Sequence, residues 1–185
     1  VTEIESGLFG IAVGAATDFD GDGAREYWVV ARNTIDLVTD WYEVHFYDGA
    51  THAYLRTFSL FGTANDTVSS TNIHVAALGD LDGDMRDDYA VTHNLATVSG
   101  RPSSGIVFVR SGADGSEIHT IPSPVEEPNQ NFGSGIVSLP DIDNDLVPDF
   151  AISAPALAPT STTSSSSITI FSGATASEIL RVEGP

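Results

Sequence analysis

Three acidic loops recur in one register along the chain, and they constrain its fold more than any other feature. They read Asp18-Phe-Asp20-Gly-Asp22-Gly-Ala24-Arg-Glu26, Asp80-Leu-Asp82-Gly-Asp84-Met-Arg86-Asp-Asp88 and Asp141-Ile-Asp143-Asn-Asp145-Leu-Val147-Pro-Asp149. Their first residues lie 62 and 61 positions apart. A small, apolar stretch precedes each loop, over 9–16, 73–79 and 132–139, and a strand-like run follows, over 26–31, 88–92 and 149–153. A third run covers 43–47, 105–109 and 167–171. It ends in Asp48-Gly49-Ala50-Thr51, Ser111-Gly112-Ala113-Asp114-Gly115 and Ser172-Gly173-Ala174-Thr175. Glycine beside Asp or Ser is expected here to supply the positive φ of a tight hairpin. A fourth run, over 53–58, 117–121 and 178–182, closes each unit. No helical period of useful length is present. Four short runs per unit, repeated at a fixed period, predict an all-β chain. The radial solution is a propeller with one four-stranded antiparallel sheet per repeat. The expected blades are residues 1–62, 63–124 and 125–185, forming a partial or assembly-completed β-propeller.

Carboxylates at positions 1, 3 and 5 of a loop converge only if the backbone curls around one point. A carboxylate at position 9 then closes the cage. Hard oxygen donors in this number suit Ca²⁺, which takes six to eight oxygens at about 2.3–2.6 Å. The expected ligands are Asp18, Asp20, Asp22 and Glu26; Asp80, Asp82, Asp84 and Asp88; and Asp141, Asp143, Asp145 and Asp149. The backbone carbonyls at position 7, those of Ala24, Arg86 and Val147, are expected to join them. Position 4 must tolerate left-handed geometry and holds Gly21, Gly83 and Asn144. An EF-hand opens similarly but needs a bidentate Glu at position 12 and flanking helices. Position 12 here is Val29, Val91 and Ile152, each in a strand-like run. One such acidic turn fits a soluble loop as well as a cation site, whereas three in register, each with an acid at position 9, argue for a cation. Without one, each cluster repels itself by several kcal/mol, at an effective dielectric constant of about 20. Up to three Ca²⁺, each adding two charges, would bring the formal charge from −19 to −13. Position 6 is Gly23 in the first loop but Met85 and Leu146 in the others. A β-carbon there resists a sharp turn, so the first loop is expected to bind most tightly and the third least.

Composition removes other readings. The chain has 26 acidic and 7 basic residues, and every basic one is Arg. With no Cys, it cannot build a disulfide scaffold, a zinc-thiolate site or a thiol nucleophile. With no Lys, it has neither a Schiff-base nor a Walker lysine. Its negative charge repels phosphate backbones, which argues against nucleic acid as a partner. No apolar run approaches the roughly 18–20 residues of a membrane-spanning helix. The chain starts at Val1 rather than Met, so it is read as processed or as an excerpt. The five His show no metal spacing, and His45 is expected to be structural. Ser134 lacks the Gly-x-Ser-x-Gly elbow of a nucleophile. Trp28, Trp41, Tyr42 and Tyr47 read as core or inter-blade packing. The Ser/Thr-rich stretch 155–167 fits an exposed loop open to O-glycans, and Asn65-Asp66-Thr67 is an N-glycosylation sequon.

The loops together with Phe9-Gly10, Phe132-Gly133 and Ala154-Pro155 resemble the FG-GAP repeat of integrin α-subunit propellers and of many bacterial surface proteins. The resemblance covers the chain as three repeats. The second repeat has Ile73-His74 at the FG position, and the first two end in Ala31-Arg32 and His93-Asn94 where GAP would stand. The resemblance implies that each loop joins the first and second strands of a blade. It also implies a non-catalytic, extracellular or cell-surface role in adhesion, recognition or assembly. Propellers of this family normally have seven blades, so three cannot close such a ring. The chain ends at 183–185, where a fourth FG segment would begin. Further repeats, an open stack of three blades, and several chains completing one assembly all fit. Open ends expose apolar blade faces, so a partner surface is expected at both: another protein or another copy, with a glycan as a further partner. The first alternative is a structural subunit polymerising into an extracellular fibre or surface layer. The second is the accessory propeller of a secreted hydrolase or lyase. It ranks last because no nucleophile–base pair stands outside the metal loops.

Overall fold

A computed structural model of the protein describes residues 6–35, 39–61, 73–156 and 166–184. Asn65-Asp66-Thr67, most of the Ser/Thr-rich stretch and the expected boundary between residues 62 and 63 lie outside them. Twelve strands and no helix occur among the described residues. The first sheet holds β1 (Ser6–Ala15), β2 (Tyr27–Ile35), β3 (Thr39–Tyr47) and β4 (Tyr54–Phe61). The second holds β5 (Ile73–Gly79), β6 (Asp88–His93), β7 (Ile106–Arg110) and β8 (Glu117–Pro122). The third holds β9 (Gly135–Leu139), β10 (Asp149–Ala154), β11 (Ser167–Phe171) and β12 (Glu178–Glu183). Each is a four-stranded antiparallel meander in chain order, a propeller-like blade. In every blade the acidic loop joins the first strand to the second.

Alternation along the strands assigns each blade a rear face, toward the preceding blade, and a forward face, toward the next. In β6 every residue is buried, because blade 2 is covered on both sides. Tyr89 and Val91 point rearward into a core with Val30, Val44 and Phe46 of blade 1. Ala90 points forward, with Val107 and Val109 of β7, into a second core with Phe132, Phe150 and Phe171 of blade 3. Position 2 of the acidic loop takes part. Phe19 leans forward onto Tyr89, with ring centroids 5.3 Å apart, and meets Phe46 edge-on at 5.6 Å. Leu81 does the same toward blade 3, joining the second core. The core therefore lies between sheets, and no blade buries a face alone.

Polar clasps recur at the blade rims. Arg56 of β4 donates to the carbonyls of Ser111, Gly112 and Ala113 at 3.2, 2.6 and 3.1 Å. His119, at the matching position of β8, donates from Nε2 to the Gly173 carbonyl at 2.8 Å. Arg86 donates to the Phe19 carbonyl, and Thr17 to the Asp87 carboxylate.

The repeated Gly of the Asp/Ser-Gly-Ala turn has a different role from the one expected. The positive φ of this hairpin sits three residues later, at His52, Gly115 and Ala176. Gly49, Gly112 and Gly173 instead lie flat against the carbonyl of loop position 8. A β-carbon there would stand 2.0, 2.0 and 1.9 Å from the carbonyl oxygens of Arg25, Asp87 and Pro148. Gly112→Ala must therefore push the hairpin off the acidic loop. A loss of about 1–3 kcal/mol, or failure to fold, is expected in denaturant titration. Full wild-type stability would show that this contact is dispensable.

Candidate metal centres

Each acidic loop is shaped by its own carboxylates. Both oxygens of position 1 accept amides, those of positions 4 and 6, at 2.7 and 2.9 Å for Asp18, 2.7 and 2.9 Å for Asp80, and 2.7 and 3.0 Å for Asp141. Position 3 accepts the amide of position 5 at 3.1–3.2 Å. Position 5 accepts the amide of position 7, from Ala24, Arg86 and Val147, at 2.7–2.8 Å. The same bonds three times over mean the same curl three times over.

The curl requires left-handed backbone at positions 4 and 6. Position 4 meets this with Gly21, Gly83 and Asn144, at φ of 80°, 83° and 66°. At position 6, Gly23 adopts 91° without strain, whereas Met85 and Leu146 are held at 67° and 75°. Both side chains are more than 90% exposed, so packing does not compensate. A side chain in this region costs about 1–2 kcal/mol.

The acid at position 9 opens the second strand and is buried in all three blades. One oxygen accepts the amide of position 2: Glu26 from Phe19, Asp88 from Leu81 and Asp149 from Ile142, at 2.6, 2.7 and 2.6 Å. The other oxygen of Asp88 and of Asp149 accepts the amide of Gly112 and of Gly173, at 2.9 and 3.0 Å. One residue thus ties the loop to the far hairpin of its blade. In blade 1 the acid is longer by one methylene. The second oxygen of Glu26 is buried without a hydrogen-bond partner.

Three clusters of carboxylate oxygens result, with members within 4.8 Å of one another: Asp18, Asp20, Asp22 and Glu26; Asp80, Asp82 and Asp88; and Asp141, Asp143 and Asp149. That spacing suits oxygens on opposite sides of a cation with metal–oxygen distances near 2.4 Å. Asp84 and Asp145 fall outside their clusters. Each caps the amide of position 7, and Asp145 also accepts from the Ser172 hydroxyl at 3.3 Å. The first cluster therefore offers four carboxylates to the others' three, and it alone contains the orphaned oxygen. These residues are able to hold metal ions.

Asp48 was not foreseen as part of this region. It heads the hairpin of blade 1, where Ser111 and Ser172 stand in the others, and accepts the amides of Ala50 and Thr51 at 2.8 and 2.7 Å. The Thr51 amide is the main cause holding its carboxyl below the usual range. The recurring Asp/Ser-Gly-Ala triplet was the available signal. His45 and Ser134 have structural partners: His45 contacts the Thr57 hydroxyl at 2.8 Å, and Ser134 donates to the Asn131 carbonyl at 2.6 Å.

Burial pushes the Asp88 carboxyl up to about 6, against the lowering effect of its two amide donors and with Asp82 and Asp84 adding repulsion. Burial is also the main cause raising Glu26. A bound cation removes the same penalty by supplying the opposite charge.

No protein-family model matches the chain, and no curated protein matches it.

Two outcomes are expected. A carboxyl with folded pKa above its unfolded value stabilises the fold while protonated, fully so below about pH 4, and that contribution is lost as pH rises through about 6. In chelator, the melting temperature should fall between about pH 4 and pH 7, and excess divalent cation should abolish the fall. A flat profile in chelator would count against the buried acids as its source. Separately, Leu146→Gly removes the side-chain cost but adds glycine's entropy, leaving a net gain of a few tenths to about 1 kcal/mol. Calorimetry should show tighter ion binding at the third loop, and weaker binding would refute the strain argument.

Proposed function

We propose that this chain is a Ca²⁺-binding module of the FG-GAP type that serves adhesion, recognition or assembly outside the cell, without catalysis of its own. The observation that carries the reading is the threefold recurrence of one carboxylate cage, closed each time by a buried acid. All donors are oxygen, which favours a hard cation. Ca²⁺ accepts irregular cages, whereas Mg²⁺ demands near-octahedral geometry and retains water. The carbonyls of Ala24, Arg86 and Val147 complete each cage in this reading, and Glu26 supplies its free oxygen to the first ion.

The role of the ion is mechanical. It neutralises a self-repelling cluster at the point where the first strand turns into the second. The same buried acid then holds the distal hairpin. Each blade is thereby fixed as a unit before it presents its faces. In an extracellular setting the loops would remain loaded and the faces would remain available to partners. A structural subunit of a fibre or surface layer is the second reading, and the two exposed end faces favour it.

Ca²⁺ at a hundredfold excess over its Kd stabilises the folded chain by about 2.7 kcal/mol per site. Chelation is expected to lower the melting temperature by about 5–10 °C for each strong site emptied. Asp18→Ala should remove one binding event from a calorimetric titration. An unchanged melting curve after verified metal removal would overturn the proposal.

A further inference from the structure

We infer that two copies of this chain associate head to tail, the forward face of blade 3 receiving the rear face of blade 1 of the second copy. This deepens the assembly half of the function proposed above.

The interface between blades 2 and 3 defines the joint; the one between blades 1 and 2 keeps its register but has rings on both sides, Phe19, Trp28 and Phe46 against Tyr89. Where blade 3 meets blade 2, its rear face supplies three rings: Phe132, Phe150 and Phe171. The matching positions of blade 1, counted from the acidic loop and the hairpin, are Phe9, Tyr27 and Tyr47. All three are aromatic. Tyr27 and Tyr47 stack with centroids 5.3 Å apart, and Phe9 leans on His45 at 5.7 Å. Where blade 2 receives blade 3, its forward face supplies Leu81, Val107, Val109 and Ile121. The matching positions of blade 3 are Ile142, Ile168, Ile170 and Val182. All four are aliphatic. The joint of aliphatic forward face and aromatic rear face is thus present, one half at each end of the molecule.

Exposure separates the joined faces from the free ones. Leu81, Val107, Val109 and Ile121 are buried. On blade 3, Val137, Ile168, Leu180 and Val182 are each 51–57% exposed, and Ile142 is exposed beside them. Phe132 is buried, whereas its counterpart Phe9 is 64% exposed, next to Val13 at 67%. The glycines agree. A β-carbon on Gly133 would meet Thr92 and Val107 of blade 2 at 3.0 and 3.2 Å, whereas one on Gly10 meets nothing within 4 Å. Val29 is buried and Tyr27, Tyr47 and Ile170 are half-buried, so the open surface is carried by Phe9 and Val13 at one end and by Ile142, Ile168 and Val182 at the other. Contiguous apolar surface of this kind marks an interaction site. Because its complement lies at the opposite end of the same molecule, the contact is heterologous and extends into an open chain or a closed ring.

The clasp position gives a discriminating variant. Arg56 and His119 donate to the hairpin carbonyls of the next blade, and Leu180 stands at the third equivalent place. Leu180→Arg would aim a donor at the Gly49 turn of the second copy. On an unspecific greasy patch the same change would weaken association.

The test is sedimentation and light scattering of the whole chain in Ca²⁺ at up to about 100 µM. The wild type is expected to form concentration-dependent oligomers. Ile168→Asp with Val182→Asp, and separately Phe9→Ser with Val13→Asp, should each weaken association by about tenfold or more. Mixed together, the two variants should give a one-to-one complex and nothing larger, since each keeps one sound face. Leu180→Arg should strengthen association severalfold, and it decides the matter should a face variant fail to fold. A wild type that stays monomeric, face variants that assemble unimpaired, or a Leu180→Arg protein that associates less would each overturn the inference. Calcium titration of the same samples keeps the two proposals separable: ion binding by a monomer defeats only this one, and assembly without ion binding defeats only the other.

Discussion

The rest of the structure depends on the buried carboxylate that ends each acidic loop. It stands where the second strand begins, so it is held by the sheet. One of its oxygens gathers the loop's second amide, and in blades 2 and 3 the other gathers the amide of a glycine 24 residues further on. Burying such a group is costly unless its lone pairs are used. The fold uses them to join two distant turns. The glycine must be a glycine, because the carbonyl one residue before the acid occupies the place of its β-carbon.

This arrangement fixes a blade internally but leaves its faces uncovered. Covering them is the work of the neighbour. Between blades 2 and 3 the rear face brings rings and the forward face small and aliphatic residues, between blades 1 and 2 both sides bring rings, and a polar clasp spans the rim of each joint. Blade 2 has both faces covered, and its central strand is buried throughout. Among the described residues, blades 1 and 3 each have one face against a neighbouring blade. Stability in such an array follows from neighbour contacts more than from any single repeat. The exposed ends are the direct consequence.

Charge runs through the same logic. A chain of net charge −19 places twelve of its carboxylates at four positions of three loops. Most of those carboxylate oxygens accept an amide of their own loop, which keeps the curl in place. What remains converges as clusters, the first richest in donors because Asp22 stays within it where Asp84 and Asp145 do not, and because Glu26 keeps one oxygen unpartnered. Strain and donor number both rank the first loop ahead of the others, and they do so independently.

Much of this was legible in the residues. The period, the four runs per unit and the acidic loops together specified three four-stranded antiparallel blades, because side-chain alternation and turn chemistry are local properties. The loop residues were legible for the same reason, and the conformations of Gly21, Gly83 and Asn144 followed from position alone. Other points were not. That Asp84 and Asp145 fall outside their clusters while Asp22, which accepts the same position 7 amide, stays in its own depends on how each loop sits against its blade. The role of Gly49, Gly112 and Gly173 depends on a carbonyl that approaches from a distant segment. The division of Tyr89 from Ala90, one rearward and one forward, needs both neighbours in place before it has meaning. Sequence by itself determined the repeat, its strands and its acidic loops, since these rest on spacing along the chain. Tertiary structure alone decided which oxygens converge and which faces stay open, since these rest on distances between segments that the chain order does not contain.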